Sequence, residues 1–247
     1  MINPTKLPPK QVKVLVVIAI ILFLLFSVTS IYSSEYKPKQ AGPLNILFVG
    51  NSFTSYNGGI NKQLEGIVPS TQTVLVAPGG FNLQNHWNGE ARKKIQEGKW
   101  NYVILQEQSQ LPVLNQGTFF QYAKLLDQEI RKAGAITVFL MTWERPDSVS
   151  YGVTTENLVK AYREIGRQIG AMVAPAGIAF SLSMKRRPNV SLYSNDGHPT
   201  IQGTYLAACV LCGTIIKRSP VGNPFAGNIN EDIRKYLQQI ASESVGI

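Results

Sequence analysis

The chain begins with one pattern of apolar residues and continues with another. Residues 14–26 form an unbroken apolar run, and residues 27–32 (SVTSIY) prolong it. As a helix, residues 14–32 would reach about 28 Å at roughly 1.5 Å per residue, just enough to cross the hydrocarbon core of a bilayer. Residues 33–43 (SSEYKPKQAGP) are polar and proline-bearing, which reads as a linker. From residue 44 onward, short apolar runs alternate with stretches of helical periodicity. Residues 45–49, 73–77, 102–105, 136–141 and 173–179 read as strands. Residues 61–67, 83–99, 119–133, 155–172, 201–216 and 231–240 read as helices, with Leu158, Tyr162, Ile165 and Ile169 on one face of the fourth. Strands alternating with helices predict an α/β domain over residues 44–247, built on a mostly parallel sheet with helices on both faces. In such sheets, ligands gather at the C-terminal ends of the strands.

Charge adds a direction to the N-terminal segment. Residues 1–32 contain three lysines, Lys6, Lys10 and Lys13, and no acid. All three precede the apolar run, so residues 1–13 are expected to stay cytoplasmic and the folded domain to be exported. A single retained transmembrane helix is the expected form. A cleaved signal peptide with a weak site at Val28-Thr29-Ser30 is the alternative, and it exports the domain equally. The whole chain carries a formal charge of +9. A basic surface facing an anionic membrane or wall accounts for the surplus. No Lys/Arg stripe with interleaved aromatics points to nucleic acid. The two cysteines, Cys209 and Cys212, fall mid-helix, away from the helix N-terminus that lowers thiol pKa values in redox motifs. Zinc would need two more ligands, and the chain has only two histidines, so inert buried thiols are expected and no metal or cofactor is implied.

Four places at strand ends could carry chemistry. Ser52 follows the first strand in Gly50-Asn51-Ser52-Phe53, on a strand-to-helix turn that exposes its hydroxyl. Gly80 ends the second strand in Pro78-Gly79-Gly80, where the backbone can bend to aim an N–H into a cleft. The third strand runs into Gln106-Glu107-Gln108-Ser109-Gln110, a burst of amide side chains suited to donating to an oxyanion. His198 stands in Asn195-Asp196-Gly197-His198-Pro199, beside a carboxylate. A histidine that serves a serine as general base needs a third group to fix its tautomer. His86 and the Trp143-Glu144 pair lie near the same edge, but packing or loop roles suffice for them.

In order and spacing these four pieces resemble the SGNH hydrolases, also called GDSL-like lipases and esterases. The match extends over roughly residues 44–217. It is nearest to a branch with a G-N-S-F-T start, a strand-three L-Q-E-Q-S and a late H-P followed by G-T-Y-L-A-A. The resemblance implies a three-layer, flavodoxin-like fold with Ser52 as nucleophile, His198 as base and Asp196 as orienting acid. It also implies an oxyanion hole formed by the N–H groups of Ser52 and Gly80 and a side chain after strand three. Glutamine replaces the family's asparagine there, with both Gln106 and Gln110 as candidates. Asn195, not Asp196, occupies the position three before His198, which leaves Asn195 as the other candidate for orienting the imidazole. The function implied is hydrolysis of a small acyl ester, acetyl in the first instance, on a glycan of the envelope or exterior. A membrane-tethered, catalytically weak or inactive glycan-binding or scaffolding domain of the same fold is the alternative.

Overall fold

A computed structural model describes residues 42–247. The expected membrane helix, residues 14–32, and the cytoplasmic stretch before it lie outside the described residues. Among the described residues, no helix is long and apolar enough to cross a membrane. Residues 43–247 form one compact unit.

The chain runs β1 (Leu44–Val49), α1 (Ser52–Ser55), α2 (Ile60–Ile67), β2 (Thr71–Val76), α3 (Leu83–Trp87), α4 (Glu90–Glu97) and β3 (Tyr102–Leu105). It continues through α5 (Leu111–Leu114), α6 (Gln116–Lys132), β4 (Ile136–Leu140), α7 (Thr155–Ile169) and β5 (Met172–Ala174). Then α8 (Ala176–Arg186), α9 (Ile201–Ile216) and α10 (Glu231–Val245) close it. The five strands stand in the order β2-β1-β3-β4-β5, and every pair is parallel. This is the flavodoxin-like order, whose topological switch lies between β1 and β3.

Side chains alternate across the sheet with the period of two that a strand imposes. Ile46, Phe48, Ile104, Val138 and Leu140 face one layer, packed against α2, α8, α9 and α10. Leu47, Val49, Val103, Leu105 and Phe139 face the other, packed against α3, α4, α6 and α7. Burial on both faces explains why these strands are continuous apolar runs. Helix α9 is buried along nearly its whole length, sandwiched within the first layer, so it has no polar face. Cys209 and Cys212 lie on it as free thiols, and burial pushes Cys212 up to about 11 and Cys209 higher still.

Two expectations need correction. Residues 83–99 do not make one helix: α3 ends at Trp87 with Asn88 as its C-cap, and Gly89 caps the start of α4. The strand expected over residues 173–179 is only Met172–Ala174, and Pro175 caps the new helix α8. The register aligns Val49 with both Val76 and Leu105, so β1, β2 and β3 end level with one another. Ser52, Gly80 and the Gln106–Gln110 segment therefore leave the sheet at one edge.

Candidate functional site

The turn that carries Ser52 is held from beneath by buried polar groups. The Asn51 side chain accepts the Phe53 N–H at 3.0 Å, capping α1, and donates to the Phe81 carbonyl at 2.8 Å. The Gln106 Oε1 accepts the Asn51 N–H at 3.0 Å and the Thr54 hydroxyl at 2.8 Å. Its Nε2 donates to the Glu107 carbonyl. Only glycine fits at position 50, because a Cβ there would lie 2.5 Å from Thr54 Oγ1 and 2.7 Å from Gln106 Oε1. The buried His86 bonds the Gly50 carbonyl through Nε2 at 2.6 Å, and burial lowers its pKa. That geometry makes His86 a neutral donor bracing the turn.

His198 reaches the same turn from the other end of the sequence. Its Nε2 lies 2.8 Å from Ser52 Oγ, and its Nδ1 lies 2.8 Å from Asp196 Oδ2. A carboxylate can only accept, so Nδ1 carries the proton and Nε2 is left to accept from the serine hydroxyl. The Ser194 hydroxyl donates to Asp196 Oδ1 at 2.6 Å, and the His198 N–H adds a second bond at 3.1 Å. The Ser194 bond first, then those from His198, hold the Asp196 carboxyl well below the usual carboxylate range. Asn195 makes no hydrogen bond to His198 among the described residues. The close spacing of acid and base follows from Gly197, whose φ of +83° tightens the loop. A Cβ there would also strike the Arg145 side chain at 2.6–2.9 Å. Tyr56 stacks on the imidazole with centroids 4.1 Å apart. Phe53, stacked at 4.8 Å on the buried Trp143, meets its edge. Trp143 in turn donates to the Gly197 carbonyl at 3.0 Å. The sequence alone suggests no more than a packing or loop role for Trp143, yet it ties the histidine loop to the end of β4.

Ser52 and His198 line a cleft of about 240 Å³ together with Asn51, Phe53, Gly80, Gln108, Ser109 and Arg145. The N–H groups of Ser52 and Gly80 have no acceptor among the described residues and are free to donate. The glutamines divide by position. Gln106 is fully buried and both ends of its amide are engaged, so it is a strut. Gln110 precedes α5 and does not line the cleft. Gln108 does, and its Oε1 accepts the N–H groups of Gln110 at 2.9 Å and Leu111 at 3.3 Å. With its oxygen so engaged, the Gln108 Nε2 is the end of the amide left to donate. The sequence expectation names Gln106 and Gln110 and not Gln108, because a place in the middle of a polar run carries no signal of which glutamine turns inward.

Glu107, between these glutamines, is buried and accepts the Gln108 N–H at 2.6 Å and the Leu83 N–H at 3.3 Å. Burial raises its pKa to about 7. It links the start of α3, just beyond Gly80, to the backbone of Gln108. No group of three or more potential metal ligands occurs among the described residues.

No family model matches the chain, and no curated protein matches it in sequence. Solved structures do match. A candidate SGNH hydrolase from Slackia heliotrinireducens superposes with a TM-score of 0.63 at 25% identity, covering 70% of this chain and 99% of that one. By fold, the chain is similar to the SGNH hydrolases. A DUF4886 family protein from Bacteroides uniformis gives a TM-score of 0.65 at 16% identity, over 82% of this SGNH-fold chain and 95% of its own. An acetylxylan esterase from Geobacillus stearothermophilus gives 0.56 at 13% identity, over 71% and 95%. The expected architecture of the folded domain is thus met by known SGNH structures.

Proposed function

We propose that the protein is a serine esterase that removes a small acyl group, acetyl in the first instance, from a glycan. One observation carries the reading: an unbroken chain of hydrogen bonds at 2.8 Å from Ser52 through His198 to Asp196, at the wall of a cleft. Ser52 Oγ attacks the ester carbonyl carbon while His198 Nε2 takes its proton. The carbonyl oxygen becomes an anion and is held by the N–H groups of Ser52 and Gly80 and by Gln108 Nε2. As the tetrahedral intermediate collapses, the imidazolium protonates the departing alcohol, leaving an acyl-Ser52. Water, deprotonated by the same nitrogen, attacks the acyl carbon, and collapse returns the proton to Ser52 and frees the acid. Asp196 holds the tautomer throughout and stabilises the imidazolium.

The small acyl group is supported by the size of the cleft, which accommodates a compact substituent. The glycan is supported by the fold neighbours that act on acetylated xylan and xylo-oligosaccharides. Anchoring by residues 14–32, with the domain outside the cytoplasm, rests on Lys6, Lys10 and Lys13 preceding the apolar run. The test is turnover of p-nitrophenyl acetate and of acetylated xylo-oligosaccharides by the purified protein and by its Ser52→Ala variant. The parent should release acetate and the variant should not. Binding of the oligosaccharide without any release by the parent would favour a glycan-binding domain.

A further inference from the structure

Arg145 lies at the cleft wall and has no part in the mechanism above. It follows β4 in a turn fixed by its own N–H donating to Ser148 Oγ at 3.0 Å. Its Nε and Nη2 grip the Asp147 carboxylate at 3.0 and 2.6 Å. Its stem occupies the space left by the missing Cβ of Gly197. The side chain is therefore clamped at both its stem and one edge of its fork. Among the described residues the remaining nitrogen, Nη1, meets only Ser109 Oγ, at 3.5 Å, the limit of a hydrogen bond. Ser109 is itself buried, lines the same cleft, and its hydroxyl has no other partner among the described residues. A pre-placed guanidinium edge and a buried hydroxyl thus stand in the cleft with unused hydrogen-bonding capacity.

We propose that Arg145, assisted by Ser109, is the specificity-determining residue that recognises neutral hydroxyl oxygens on the alcohol half of the ester. The inference rests on the esterase reading and names the part of the substrate that it leaves open. The alcohol half is indicated because His198 must protonate the leaving oxygen, and Arg145 packs against Gly197, next to that histidine. Neutral hydroxyls are indicated by charge. Asp147 already neutralises the guanidinium, so the site offers directed donors with little net attraction for an anion. A carboxylate or phosphate would favour an unpaired cation. A sugar, with several hydroxyls flanking the ester oxygen, supplies the matching acceptors.

The experiment compares two acetyl esters on the full chain: acetylated xylo-oligosaccharide, rich in hydroxyls, and p-nitrophenyl acetate, whose alcohol has none. In Arg145→Met, which keeps the apolar stem, kcat/KM on the sugar ester should fall at least tenfold further than on p-nitrophenyl acetate, mostly through KM. Ser109→Ala should shift the same ratio in the same direction by a smaller factor. Equal losses on both esters in both variants would overturn the inference, as would a parent that hydrolyses p-nitrophenyl acetate but no sugar acetate. So would a parent preference for a carboxylate-bearing alcohol that Arg145→Met abolishes. A parent inert on both esters fails the esterase reading itself, and the inference with it.

Discussion

At the scale of single residues, two amides of the strand-three loop, the buried Gln106 and the cleft-lining Gln108, do different work. Gln106 supports the Ser52 turn, and its loss leaves the Asn51 N–H and the Thr54 hydroxyl without their buried acceptor. Gln106→Ala should cost about 1–3 kcal/mol of stability, read from urea unfolding. Gln108→Ala should leave stability nearly unchanged and lower kcat by about 10²–10³ with little change in KM. A Gln108 variant with full kcat would leave the backbone donors as the whole oxyanion hole. The acid is open to the same treatment. Among the described residues, Asp196→Ala removes the one acceptor of the Nδ1 proton, whereas Asn195 makes no hydrogen bond to His198. The first change should cut kcat by up to about 10⁴, and Asn195→Ala should be silent; reversed effects would transfer the orienting role to Asn195. Ser52, Gly80, Asp196 and His198 could be picked from the sequence because each sits at a strand end or beside a complementary group. The choice among glutamines could not. Spacing along a loop does not say which side chain turns into a cleft and which turns beneath it.

At the scale of elements, the third strand and α3 are joined by a buried acid. Glu107 accepts N–H groups from Gln108 and Leu83, yet its ionised form is poorly solvated there, which lifts its pKa from 4.5 to about 7. A carboxyl whose folded pKa is raised holds its proton more tightly in the native state than in the unfolded chain. Its contribution to stability is therefore full below about pH 4.5 and is lost as pH rises towards 7, a change of about 3 kcal/mol at most. Unfolding free energies at pH 5 and pH 8 should differ by less in Glu107→Gln than in the parent, and identical differences would contradict this account of the group. None of this shows in the sequence, where Glu107 is one acid in a polar run. The elements themselves were easier to find, because β1, β3 and β4 are apolar on both faces and α7 has one apolar stripe. The failures have local causes. Apolar residues at 176–180 look the same in a buried helix as in a strand, and Pro175 starts α8 where a break in a strand was expected. The residues 83–99 pattern keeps its helical spacing across Gly89, although the backbone does not.

At the scale of the whole molecule, the parallel order β2-β1-β3-β4-β5 brings residues 52, 80, 108 and 198 to one cleft from across most of the domain. Alternating apolar strands and amphipathic helices made that architecture legible, since a parallel sheet needs a crossover helix between neighbours. The N-terminal segment gives a separate prediction. If Lys6, Lys10 and Lys13 hold the N-terminus in the cytoplasm, protease added to intact cells or spheroplasts should digest residues 44–247. Protection until lysis would reverse the orientation. The central claim is that His198, oriented by Asp196, activates Ser52 as a nucleophile. A fluorophosphonate probe tests it most directly, because it bonds to an activated serine hydroxyl and needs no knowledge of the natural ester. Mass spectrometry of the labelled protein should find the phosphonyl group on Ser52 in the parent, and only traces in His198→Ala. A parent that stays unlabelled at Ser52, or a His198→Ala variant labelled at the parental rate, would contradict the account.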